Sequence, residues 1–175
     1  DHDSDDAAPT SAPAPAPAPA PVQTASATSA PAPSSGYQNP LRGVSGLQPG
    51  RIDEGVDFGG SGPVYSLGNG TVTGIDGAGW PGGNFVQVQL SDGPDAGKTV
   101  YVAEDCTPQV STGQTVTTGT VLCNMTNGPD GIEIGWAMGD GTDTAACSAS
   151  YTEGQTTSCG NDMENLLTSL GVPHS

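Results

Sequence analysis

The chain has 175 residues and a formal net charge of −16, with Arg42, Arg51 and Lys98 as its three cations against 19 acids. Such a charge repels nucleic-acid phosphate and anionic lipid, so nucleic acid is not expected as a partner. No apolar run approaches the roughly 20 residues that span a bilayer, so membrane insertion is not expected either.

Residues 1–35 form the first unit. They open on an acidic tip, "DHDSDD", and continue from Ala7 to Ser35 almost wholly in Ala, Pro, Ser and Thr. That composition holds too little apolar bulk to offset the entropy of ordering, so a disordered or extended Pro/Ala-rich arm is expected, biased to polyproline II. The chain begins at Asp, and arms of this kind often follow a cleaved export signal. The expected location is therefore secreted, extracellular or at the cell-envelope surface.

The second unit, residues 36–160, is expected to hold the fold. "LQPGRI" reads as a turn-rich approach to "DEGVDF", where Asp53 and Asp57 look like part of a metal site. From Gly62 onward, short β-branched runs broken by glycine ("PVYSLG", "GTVTGI", "NFVQVQL", "KTVYVAE", "TVLCNM", "GIEIGWA") predict an antiparallel β sandwich or barrel-like sheet. Val86, Val88 and Leu90 alternate with Gln87 and Gln89, giving one buried and one wet face. "SDGPDAGK" reads as a hairpin loop. Residues 161–175 predict a short C-terminal helix and tail, with Asn161 as N-cap, Glu164 as its capping-box partner, a stripe of Met163, Leu166, Leu167 and Leu170, and Gly171 as terminator.

Cys106, Cys123, Cys147 and Cys159 are an even set without a CxxC pair. That predicts two disulfides in an oxidising compartment rather than a zinc knuckle. Three pairings are open; the local ones, Cys106 with Cys123 and Cys147 with Cys159, each close a short loop and are favoured, although a crossed pairing fits the sequence as well. Trp80 and Trp136, with Tyr65, Tyr101 and Tyr151, could meet a ligand as a sugar-stacking platform, or could serve as core or loop anchors; Trp80, Tyr101 and Trp136 are the candidate contacts.

The run "GVDF…GSGPVYSLGNGTVTGI", followed by "GGNFVQVQL", "TVYVAE", "PQVSTGQTVTTGTVL" and "GIEIGWA", resembles the lysostaphin-like zinc metallopeptidases that cut peptidoglycan cross-bridges. The resemblance covers roughly Arg51 to Ala137. It implies an all-β metallopeptidase-type domain with zinc held by the His and Asp of H-x-G-x-D and the second His of a later H-x-H. Matched position by position, Asp57 keeps the Asp, Asp53 stands at the first His, and Gly131, Ile132 and Glu133 stand at H-x-H. The family's Y-x-H reads Tyr101, Val102, Ala103. The chain's two histidines, His2 and His174, lie in its tails.

A site stripped of imidazole loses its selectivity for zinc, so no catalytic residues and no zinc are expected. Asp53, Asp57 and Glu133 would make a remnant cation site better suited to Ca²⁺. The plainer alternative makes them tolerated surface acids, with Arg51 or Lys98 as counter-ion. The resemblance thus implies a non-catalytic, metallopeptidase-like module that binds cell-wall glycan or peptide as an envelope-associated binding or scaffolding protein. Two alternatives stand beside it: a structural subunit of an extracellular assembly or filament, in which the arm docks on other copies of the chain, and a hydrolase with an altered metal site.

Overall fold

The computed structural model of the chain describes residues 36–77 and 79–174, so the acidic tip and the Ala/Pro arm lie outside the described residues. Glycine-punctuated runs of Val, Ile and Thr become strands because β-branched side chains pack well on a pleated surface. They are β1 (Ser45–Ile52), β2 (Gly55–Tyr65), β3 (Gly70–Asp76), β4 (Phe85–Leu90), β5 (Thr99–Glu104), β6 (Cys106–Pro108), β7 (Thr115–Val116), β8 (Val121–Thr126) and β9 (Ile132–Ala137). One helix follows, α1 (Ser158–Ser169).

These nine strands join in one antiparallel sheet in the order β6-β8-β2-β9-β5-β4-β3-β7, with β1 pairing β2 beside that path. The expected all-β fold with a short C-terminal helix is present, as a barrel-like single sheet. The long β2 organises it: Gly55 to Phe58 pair with β9, Ser61 to Tyr65 pair with β8, and β1 runs along both halves. "SDGPDAGK" does connect β4 to β5 as a hairpin loop.

The sheet's two faces separate core from site. Val56, Phe58, Val86, Val88, Val100, Val102, Ile132 and Ile134 belong to one large buried cluster, onto which Met163 and Leu167 of α1 also pack. The alternate residues Phe85, Tyr101, Ala103 and Ala137 form a second, smaller cluster with Ala145 and Trp80. Period-two alternation in adjacent strands requires this division, since neighbouring side chains on a strand point to opposite faces. Gln87 is on the second face and is buried, not wet as expected; its amide donates to Thr142 O at 3.2 Å and Asp143 Oδ1 at 3.0 Å.

Two further expectations need correction. "LQPGRI" belongs to a strand, β1, rather than a turn; β1 pairs only with β2, so the donor missing at Pro49 breaks no interior ladder. Helix α1 starts at Ser158 rather than after Asn161, capped by Thr157, whose Oγ1 accepts from Gly160 N at 3.1 Å. The same hydroxyl donates to Asp53 O at 2.7 Å, so the cap also ties the helix to the β1–β2 turn. Gly171, with φ 91°, ends the helix as expected.

The favoured disulfide pairing is present. Cys106–Cys123 links β6 to β8 inside the core, and Cys147–Cys159 links the segment after β9 to the first turn of α1.

Candidate functional site

Asp57 on β2 and Glu133 on β9 are direct cross-strand partners, both on the second face, opposite Val56 and Ile132. Asp53 enters from the turn between β1 and β2. One carboxylate oxygen from each of the three lies within 4.8 Å of the others, with Asp53 and Glu133 buried and Asp57 partly so. The three positions singled out in the sequence therefore converge.

Tyr101 on β5 closes this cluster from the side. It is fully buried and its hydroxyl donates to Glu133 Oε2. Its ring reaches that far because the strands beneath it carry glycine at Gly55 and Gly135. A Cβ at Gly135 would stand 2.7 Å from the ring, and one at Gly55 would stand 2.9 Å from the hydroxyl.

The counter-ion is Arg51, on β1. Its Nε lies 2.8 Å from Asp53 Oδ2 and 3.4 Å from Asp57 Oδ2, and its Nη2 lies 2.9 Å from Glu153 Oε1. Tyr151 Oη donates to Glu153 Oε2 at 3.0 Å and stands 3.4 Å from Asp53 Oδ2. Lys98 serves elsewhere: it pairs with Asp95 at 3.1 Å and sits 4.9 Å over the Trp136 ring.

Three acids cannot all ionise in this space. Burial pushes Glu133 up to about 10, reinforced by the proton it shares with Asp53. Burial also works against ionised Asp53, but hydrogen bonds from Glu133 and the Gly55 N–H, together with Arg51, hold its carboxyl below the ordinary value. The proton of the pair thus resides on Glu133. Asp57 rises to about 6 through burial and the Asp53 charge, with Arg51 opposing.

Glu104, at the end of β5, was not singled out in the sequence. Burial, then the charges of Asp57, Asp130 and Asp105, push it up to about 8, and its backbone takes φ 83°, a left-handed conformation uncommon for glutamate. Its carboxylate has no hydrogen bond or ion pair among the described residues. The only sequence signal was its place directly after "YVA". Arg51 was legible only as one of two candidate counter-ions, Tyr151 only as one aromatic of a possible sugar-stacking platform, and Glu153 not at all, because their segment reaches the cluster from about a hundred residues away.

Arg51, Asp53, Glu104, Glu133, Trp80 and Tyr151 border a groove of about 370 Å³. The aromatic residues do not form one platform. Trp80 lies 5.3 Å from Tyr101 and 5.1 Å from Phe85, so it borders the groove, whereas Tyr101 is sealed beneath it. Trp136 is on the opposite face, donates from Nε1 to Asp162 at 3.1 Å, and lines a separate cleft of about 600 Å³.

The donor set does not fit zinc. It offers three carboxylates and no imidazole, a guanidinium already lies against two of them, and the third carries a proton. His174 lies instead beside Glu164 of α1, at 3.6 Å. A hard cation such as Ca²⁺ suits carboxylates better, but it would have to displace Arg51 and the proton.

No protein-family model matches the chain, and no curated protein matches it in sequence. Among solved structures it is similar to lysostaphin, whose NMR solution structure superposes with a TM-score of 0.53 at 14% identity, covering 82% of this chain and 58% of that one. It is also matched with the crystal structure of CbpA from L. salivarius REN, at a TM-score of 0.47 and 23% identity over 77% of this chain and 92% of that one. The chain thus spans 58% of the length of lysostaphin, and the fold is lysostaphin-like.

Proposed function

We propose that the protein is a non-catalytic, lysostaphin-like module that works outside the cell, at or near the cell envelope, by binding cell-wall glycan or peptide. The supporting observation is the carboxyl cluster. At the positions where the sequence resemblance places zinc ligands, Asp53, Asp57 and Glu133 converge on Arg51 and a shared proton. Without an open Lewis-acid position, no water is activated there, and the fold acts as a scaffold. Two disulfides support an oxidising compartment, and no helix among the described residues is long and apolar enough to cross a membrane.

The test is incubation of the full chain with purified peptidoglycan, with and without added Zn²⁺ or Ca²⁺. Cosedimentation without release of new amino groups is the expected result. Release of amino groups above background, with either metal, would make the protein a hydrolase with an altered metal site.

A further inference from the structure

The segment between β9 and α1 crosses one side of the carboxyl groove, yet contributes nothing to the core around its middle. No residue from Ala146 to Cys159 is buried. Both flanks are fixed on backbone: Ala146 N donates to Trp136 O at 2.7 Å, while Thr156 Oγ1 donates to Ile52 O at 2.8 Å and Thr157 N to Asp53 O at 3.0 Å. Between them, the backbone hydrogen bonds of residues 147–155 are all local, such as Tyr151 N to Ser148 O and Gln155 N to Thr152 O. What holds this stretch over the groove is Tyr151 and Glu153 on Asp53 and Arg51, Ser148 on the Glu54 carboxylate, and one covalent bond, Cys147–Cys159.

The two disulfides differ in access. Cys106 and Cys123 are 1% and 0% exposed, between hydrogen-bonded strands. Cys147 and Cys159 are half-buried, at the surface end of α1. Accessible disulfides exchange with external thiols, whereas buried structural ones resist.

We propose that Cys147–Cys159 is the latch of a lid formed by residues 147–155, and that its reduction by an external dithiol opens the carboxyl groove. In that step a reductant thiolate attacks one sulfur of the pair, and the other cysteine leaves as thiolate and takes a proton. The second thiol of the reductant then displaces the mixed disulfide. Cys147 and Cys159 end as thiols and the reductant as its own disulfide, so two electrons and two protons pass to the protein. With the covalent tie gone, the flanks stay fixed at Ala146, Thr156 and Thr157, and between them only the polar side-chain contacts of Ser148, Tyr151 and Glu153 hold the lid, so residues 147–155 open locally.

The test treats the full, native chain with dithiothreitol and follows alkylation of each cysteine, hydrogen exchange of each segment, and carbodiimide-driven amidation of Asp53. The expected result has three parts: Cys147 and Cys159 react at least about tenfold faster than the buried pair; exchange over residues 147–155 rises about tenfold while β2 and β9 stay protected; and Asp53 is amidated only after reduction. A Cys147→Ser/Cys159→Ser variant should behave like the reduced protein without any reductant. Equal reduction of both disulfides, unchanged exchange over 147–155, or exchange that rises equally through β2 and β9 would each overturn the lid, the last by showing that the bond supports the whole fold.

Discussion

Glu133 sets the pH response of the site. A carboxyl whose folded pKa is raised keeps its proton in the folded chain after the unfolded chain has lost it. Its contribution to stability is therefore complete below the ordinary value of 4.5 and declines as pH rises toward about 10. While the difference of one proton lasts, the slope is about 1.4 kcal/mol per pH unit. Asp53 has the opposite sign: its lowered pKa gives stability above the ordinary 3.8 that is lost on further acidification. The melting temperature should accordingly peak at about pH 4 to 5 and fall toward alkaline pH. Glu133→Gln keeps an acceptor for Tyr101 and a donor for Asp53 but cannot ionise, so its decline from neutral to alkaline pH should be shallower. Thermal melts of the two proteins that decline in parallel would place the proton elsewhere. Arg51 gives a companion expectation at the same scale. Arg51→Met leaves Asp53 charged, buried and without its cation, which should cost about 1 to 3 kcal/mol. It also vacates the cation position, so millimolar Ca²⁺ should raise the melting temperature of the variant more than that of the parent, a difference readable by calorimetry.

At the scale of elements, the longer strands from β3 onward (β3, β4, β5, β8 and β9) were legible because alternation and turn residues are local signals, while the convergence of Asp53, Asp57 and Glu133 was legible only through the resemblance to the metallopeptidases; the short β6 was not read. The disulfide pairing was favoured for the same reason, short loops between neighbouring segments. What escaped depended on partners distant in sequence. Pro49 and Gly50 hid β1, since only its single pairing with β2 makes them tolerable there. Gly160 hid the first turn of α1, since a poor helix former gives no helical signal until Thr157 caps it. The roles of Gly55 and Gly135 were likewise illegible: nothing in "DEGVDF" or "GIEIGWA" shows that the first must clear the Ile134 carbonyl and the Tyr101 hydroxyl and the second the Tyr101 ring. Gly135→Ala should therefore force the ring off Glu133 and destabilise by about 1 to 3 kcal/mol. In a Tyr101→Ala background the same change should cost much less, because the obstructed ring is gone. A double-mutant cycle measured by urea unfolding decides it, and additive costs would show that the glycine is needed for the backbone alone.

At the scale of the molecule, the lysostaphin-like scaffold and the chemistry of its groove are separable, because the large apolar cluster and the carboxyl cluster lie on opposite faces of one sheet. Ligand chemistry can then change without cost to the core, as long as each replaced side chain keeps its partners. That separability makes a metal-restoring experiment informative. Asp57 already stands across from Glu133 in register, and Asp53 approaches both from the β1–β2 turn. Replacing Asp53→His and Glu133→His, with Arg51→Ala to clear the guanidinium, supplies two imidazoles and one carboxylate, a set that zinc favours with its fourth position open. The triple variant should bind one zinc by metal analysis after dialysis, and at zinc about a thousandfold above its dissociation constant it should gain about 4 kcal/mol of stability. The parent chain should gain none at the same zinc concentration. A variant that keeps both disulfides and its β-sheet circular dichroism yet takes up no zinc would show that the likeness to lysostaphin ends at the fold and does not extend to the placement of these three side chains.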